Sequence, residues 1–126
     1  MLYLLDTTLL IDYARGMPSA VTVFRQLFEE GHTLYACDAV VCEALSGGGP
    51  GQRGAILALL EPVEYVSTHP DAARWAGESR RHRGATSHRT LGDALIAGVA
   101  WYTHATVVTR NPDDFVSQGI PVLTYG

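Results

Sequence analysis

The stretch Leu2-Tyr3-Leu4-Leu5-Asp6-Thr7-Thr8-Leu9-Leu10 decides how the rest of the chain is read. Leu2–Leu5 is a short, continuous apolar run, which predicts a strand buried on both faces, as in parallel sheets. Asp6 ends the run. Thr7 or Thr8 then predicts the cap of a short helix whose apolar face is Leu9, Leu10 and Tyr13, stopped by Gly16 and Pro18.

The alternation continues outward. Val21, Phe24, Leu27 and Phe28 repeat with helical spacing and predict a helix over Ser19–Glu30. A strand over Thr33–Cys37 follows, then a helix capped by Asp38 and running through Leu45. Ser46-Gly-Gly-Gly-Pro-Gly51 reads as a flexible loop, too short to join two domains. Beyond it the pattern predicts a helix over Gly54–Leu60, a strand over Val63–Val66 and a helix over Pro70–Arg81. After a polar loop to Arg89, Thr90 caps a helix over Leu91–Tyr102. A strand over Thr106–Thr109, a helical turn over Asp113–Ser117 and a strand over Val122–Thr124 close the chain. Strands alternating with helices predict an α/β fold: a central, mainly parallel sheet of four or five strands, covered on both faces as three layers.

The 126 residues suit one domain spanning 1–126, and 47% hydrophobic content suffices for a core, which excludes disordered and low-complexity classes. The net charge of −4 excludes a general attraction to nucleic acid, so any such binding needs a local patch. Every basic residue is Arg, which biases a patch toward planar, bidentate phosphate contacts. Cys37 and Cys42 form neither a disulfide framework nor a paired metal motif, as suits a reducing compartment. The N-terminus lacks a basic signal-peptide region, and the apolar stretch Leu95 to Val108 is interrupted and too short for a bilayer. The expectation is a cytoplasmic protein without membrane contact.

In a parallel sheet the strand carboxyl ends and the helix amino ends share one edge, where ligands bind. Asp6 ends the first strand, and Glu43 lies in the second turn of the helix after the second. Asp93 lies in the first turn of the helix before the fourth strand, and Asp113 and Asp114 follow that strand. Four distant segments thus bring carboxylates to one edge. Each acid has an ordinary structural role open to it: Asp6 as a helix cap, Asp93 in a capping box with Thr90, Glu43 on a solvated face, Asp113 and Asp114 in a loop. Together they would repel one another, and helix amino ends offset only about 0.3–1 kcal/mol each. A divalent cation offsets more. An oxygen-only set favours Mg²⁺ or Mn²⁺ over zinc and suits phosphoryl chemistry.

Leu4-Leu-Asp-Thr-Thr-Leu-Leu-Ile-Asp12, Glu43-Ala-Leu-Ser-Gly47, Gly92-Asp-Ala-Leu-Ile-Ala-Gly-Val-Ala100 and Val108-Thr-Arg-Asn-Pro-Asp-Asp-Phe115 resemble the four acidic motifs of PIN-domain ribonucleases. Their order and spacing most resemble the VapC-type toxins of toxin–antitoxin pairs, and the resemblance covers Met1 to Gly126. It implies a Mg²⁺-dependent endoribonuclease acting on structured RNA of the tRNA or rRNA class. Asp6 and Asp93 match the principal metal ligands, and Glu43 completes the cluster directly or through water. At the fourth position the pattern offers Asn111, Asp113 and Asp114, of which Asp114 is favoured. Thr7 and Thr109 match hydroxyls that hold a carboxylate or a water, and Arg110 would reach a phosphate or a carboxylate. The resemblance also implies a homodimer and a cognate antitoxin whose C-terminal segment, often through an Arg, reaches the acidic pocket.

Residues 74–89 hold five arginines (74, 80, 81, 83, 89) against one acid, Glu78, with His82 and His88. This segment would contact phosphates beside the acids, or serve as a solvated helix end. Trp75, Trp101 and Tyr102 are expected in the core or an interface, with base stacking as the second reading. Two other functions compete. A haloacid-dehalogenase-like aspartyl phosphatase wants a second Asp two residues after Asp6, where Thr8 stands, and a Lys that the chain lacks. A non-catalytic PIN-like interaction module would keep the fold and gain no stability from millimolar Mg²⁺.

Overall fold

The computed structural model describes residues 1–84 and 90–126. Its strands β1 (Leu2–Leu5), β2 (Thr33–Cys37), β3 (Glu64–Val66), β4 (Thr106–Thr109) and β5 (Val122–Thr124) form one sheet in the order β3-β2-β1-β4-β5. Every neighbouring pair is parallel. The chain steps from β1 out to β2 and β3, then returns to the other side of β1 for β4 and β5. The strand order therefore reverses between β1 and β4, the switch point where open α/β sheets bind ligands.

The helices are α1 (Thr7–Ala14), α2 (Pro18–Glu29), α3 (Asp38–Leu45), α4 (Pro50–Leu60), α5 (Pro70–His82), α6 (Leu91–Thr103) and α7 (Asp113–Val116). Successive strand residues point to opposite faces. Leu4 and Leu5 on β1, and Val107 and Val108 on β4, are all fully buried. Both faces of the sheet are therefore covered, which is the three-layer α/β/α arrangement. Phe115, Leu9, Leu10, Ile56 and Ile96 complete the fully buried packing around the central strands.

Three local readings change. The cap of α1 is Asp6, not Thr7 or Thr8, because its Oδ1 accepts from the Thr7 amide at 2.8 Å. Asp38 is the first residue of α3, with Cys37 at the cap position. Its carboxylate accepts from Ala39 N, and from Thr68 N and Oγ1, tying the segment after β3 to α3. Helix α4 starts at Pro50, four residues earlier than expected, since a proline's fixed φ suits the first helical position. Gly48, at φ +76°, turns the chain just before it.

Helices α5 and α6 approach closely at Gly98, where a Cβ would stand 2.5 Å from the Ala72 carbonyl oxygen. Only glycine permits that backbone contact. Farther along, Trp75 of α5 stacks on Trp101 of α6 with ring centres 5.7 Å apart. Trp101 and Tyr102, expected in the core or an interface, are both exposed on the single chain and so lie outside its core. Asp12, buried on α1, accepts from Arg110 Nε at 2.9 Å and from the Tyr125 hydroxyl at 2.8 Å. That cluster fastens the end of the chain to α1. No helix among the described residues is long and apolar enough to cross a membrane.

Candidate functional site

Asp6 sits where β1 ends, beside the end of β4. Its amide donates to the Val108 carbonyl at 3.0 Å, extending the pairing of the two strands by one step. The side chain is 4% exposed, and both oxygens are taken. Oδ1 accepts from Thr7 N, while Oδ2 accepts from Thr8 Oγ1 at 3.0 Å and from Thr109 Oγ1 at 2.8 Å. The two hydroxyls are themselves oriented: Thr109 Oγ1 accepts from Asn111 N at 2.9 Å and Thr8 Oγ1 from Arg110 N at 3.4 Å. All of these donors are neutral. Burial raises the Asp6 carboxyl pKa above its ordinary range, against the pull of the Thr109, Thr8 and Thr7 bonds, and the nearby Glu43 charge adds to the rise.

Glu43 reaches this edge from α3 and is exposed. Its Oε1 accepts from Thr7 Oγ1 at 2.9 Å. Gly92 makes room for it. A Cβ at Gly92 would stand 2.4 Å from Glu43 Oε2, so the first turn of α6 carries no side chain where the Glu43 carboxylate lies. One residue on, Asp93 is half-buried, with its carboxyl pushed up to about 7. Burial is the largest cause, followed by the charges of Asp114, Asp6 and Glu43, and Asp114 lies within hydrogen-bonding reach. The carboxylates of Asp6 at the end of β1, Glu43 of α3 and Asp114 of α7 thus all act on Asp93 of α6.

Asp114 is exposed in the first turn of α7, and Asp113 beside it is not among the groups that act on Asp93. Asn111 contributes its backbone amide to Thr109. Thr7 holds Glu43 and Thr109 holds Asp6, while the Arg110 side chain turns to Asp12. Sequence alone does not mark Thr8 or Gly92 as part of the site. The signal for Thr8 was its place two residues after Asp6. Nothing local marks Gly92, because its neighbour Glu43 is 49 positions away in the chain.

Ion pairs among the described residues draw on other acids: Arg110 on Asp12, Arg74 on Asp71, Arg81 on Glu78. Of the Arg- and His-rich segment, Arg80, Arg81, His82 and Arg83 follow one another at the end of α5, whereas His88 and Arg89 lie outside the described residues. Among the described residues no three His, Cys, Asp or Glu side chains close round a single point as a complete ligand set would. The donor chemistry still fits a hard cation that keeps its water. Mg²⁺ is usually bound through one or two carboxylates and several waters rather than by an all-protein cage. The mutual repulsion felt at Asp93 is what a divalent charge would relieve.

A family model of the PIN domain matches residues 3–118. The chain is 33% identical over 115 residues to Ribonuclease VapC19 of Mycobacterium tuberculosis, covering 89% of this chain and 90% of that protein. In fold it is similar to VapBC2 from Rickettsia felis bound to a DNA fragment from its promoter, with a TM-score of 0.82, 20% identity and full coverage of both chains. It is likewise similar to a toxin–antitoxin complex from Klebsiella pneumoniae, with a TM-score of 0.74 and 26% identity over 97% of this chain and 96% of that one.

Proposed function

The chain belongs to the PIN-domain family, and from that premise we propose that it is a Mg²⁺-dependent endoribonuclease of the VapC type, the toxin of a toxin–antitoxin pair. Its substrate class is structured RNA such as tRNA or rRNA, met in the cytoplasm, and Mn²⁺ would substitute for Mg²⁺. The observation that carries this reading is the meeting, in a PIN-domain fold, of Asp6, Glu43, Asp93 and Asp114 at the edge where β1 and β4 end, with the Asp93 carboxyl pushed up to about 7 by burial and by the other three. Acids so arranged destabilise one another unless a cation joins them.

Asp6, Asp93, Glu43 and Asp114 are the residues proposed to hold the ion, with Asp113 and Asn111 at the rim. When bound, the ion supplies an activated water and neutralises charge on the phosphodiester, giving 5′-phosphate and 3′-hydroxyl ends. The chain's own residues prepare that site. Thr8 and Thr109 fix the Asp6 carboxylate in one orientation, and Thr7 holds Glu43 across the mouth. Arg110, anchored on Asp12, positions the start of the segment that carries Asp114.

The same acids suit a cognate antitoxin, whose basic side chain would enter the mouth in place of the ion. The solved complexes of similar fold support that partner, and a homodimer is proposed with it. The test is cleavage of total cellular RNA by the purified chain with Mg²⁺ and with EDTA, beside Asp6→Asn. Discrete fragments that require both Mg²⁺ and Asp6 are expected. No cleavage, together with no Mg²⁺-induced rise in melting temperature, would favour a non-catalytic module.

A further inference from the structure

An acid-lined mouth repels the polyanion it is meant to cut, so a strand of RNA needs a cationic hold close by. A cavity of about 260 Å³, tied to the Asp114 backbone through Gln118, has the composition for one. It lies between α5 and the end of α7. Trp75, Ser79 and His82 line it from α5 and Arg83 from the cap that ends it, at the spacing of one helix face, and Ser117 and Gln118 line it from the other side. Glu78 also borders it and pairs with Arg81 at 3.9 Å.

Two features give the cavity a fixed shape. Trp75 is backed by Trp101, with ring planes only 13° apart, so its indole is braced rather than loose. Gln118 bridges the cavity to the acidic site: its Oε1 accepts from Ser79 Oγ at 2.9 Å and its Nε2 donates to the Asp114 carbonyl at 2.7 Å. Those two bonds leave the amide one hydrogen and one acceptor position. A flat aromatic surface, a part-used amide, and a guanidinium with an imidazole at the rim are the groups that stack a base, meet its edge and neutralise its phosphate. An anionic peptide would use the arginine but has no need of the indole face beside an amide, so RNA is the better fit.

We propose that this cavity is a nucleotide subsite, in which a base near the cleaved bond stacks on Trp75 while its phosphate meets Arg83 and His82. The location relative to cleavage rests on the ribonuclease reading; the binding itself does not. The test therefore has a metal-free arm. In EDTA, the full chain with Trp101→Phe keeps an aromatic brace and leaves Trp75 as its single indole reporter. Titration with adenosine 5′-monophosphate and with a six-nucleotide single-stranded RNA is expected to quench that fluorescence to saturation. Arg83→Ala, added to this chain, should weaken the midpoint about tenfold, and free adenosine should bind more weakly than the monophosphate.

In the second arm, Trp75→Leu and Arg83→Ala should raise KM for RNA cleavage more than they lower kcat, with melting curves reporting that both variants fold. Cleavage with unchanged KM in both variants, and no saturable quenching, would overturn the subsite and leave the ribonuclease reading standing. Saturable, Arg83-dependent quenching by a chain that cuts no RNA would do the reverse. Quenching by an oligoglutamate peptide but by neither nucleotide probe would assign the cavity to an acidic protein partner and overturn the proposal.

Discussion

Two buried aspartates lie six residues apart at the start of the chain, and their surroundings differ in one respect. Asp12 is 2% exposed and meets a cation, Arg110, as well as the Tyr125 hydroxyl. Asp6 is 4% exposed and meets only neutral donors, while other acids crowd the same edge. A buried acid joined to an arginine is complete within the chain. A buried acid joined to hydroxyls, facing further carboxylates, is relieved by keeping a proton or by positive charge brought from outside. On this contrast Asp12 is satisfied within the chain, whereas Asp6 is the aspartate proposed to act.

The sharpest way to break this comparison is to neutralise each acid in turn. Asp6→Asn should lower RNA cleavage about a thousandfold, on the scale of losing a preorganised charge group, and leave metal-free melting unchanged or slightly raised. Calorimetry showing a large drop in melting temperature would place Asp6 with Asp12 as structure. Asp12→Ala should do the opposite. It strands Arg110 and the Tyr125 hydroxyl and should lower folding stability by about 2–3 kcal/mol, moderated because Arg110 is half-exposed. Denaturant midpoints check this, and cleavage by the fraction still folded should change far less than in Asp6→Asn.

A subtler change tests the crowding itself. Gly92→Ala places a methyl where the Glu43 carboxylate lies, and a flexible side-chain end yields more easily than backbone. The fold should persist while cleavage falls about tenfold, the order of effect of misplacing one polar contact. Gly98→Ala makes the control, since its methyl would meet the Ala72 backbone and should lower stability instead.

The pH dependence has a definite sign. Asp93 titrates near 7 in the folded chain and near 3.8 when exposed. Between those values the unfolded chain has already lost this proton while the folded chain keeps it, so this carboxyl makes metal-free stability fall as pH rises from about 4 to 7. Mg²⁺ held by Asp93, as proposed, would displace the same proton, so its apparent affinity should rise through pH 7, read as a growing Mg²⁺-induced shift in melting temperature. The smallest expected effect is that of Tyr125→Phe, which removes one hydrogen bond to Asp12 at about 1 kcal/mol and should leave the metal response unchanged.

The sequence made most of the architecture legible because the buried runs are distinctive. Leu2–Leu5 and Thr106–Thr109 read as strands, and the acids at their ends fall at the shared edge for a geometric reason. What stayed hidden depends on partners far away in the chain. The Asp12–Tyr125 bond spans 113 positions and the Thr109–Asp6 bond spans 103. No local pattern encodes either. Gly92 reads as an unremarkable helix-start glycine until Glu43 is set beside it. The start of α4 is obscured in the sequence because the glycines before Pro50 read as loop, although proline suits the first helical position.

The long-range bonds at Asp6 carry a consequence for synthesis. Chains emerge from the ribosome amino end first, and domains generally fold as units in that order. Asp6 and Glu43 appear early, but Asp93, Thr109 and Asp114 all lie in the final third of the chain. Until β4 joins the sheet, Asp6 lacks the Thr109 hydroxyl that helps fix it, and the other two carboxylates are not in place. A chain interrupted before that point carries acids but no assembled pocket. Any activity the pocket supports is thereby withheld from unfinished copies, a safeguard that arises from strand order alone.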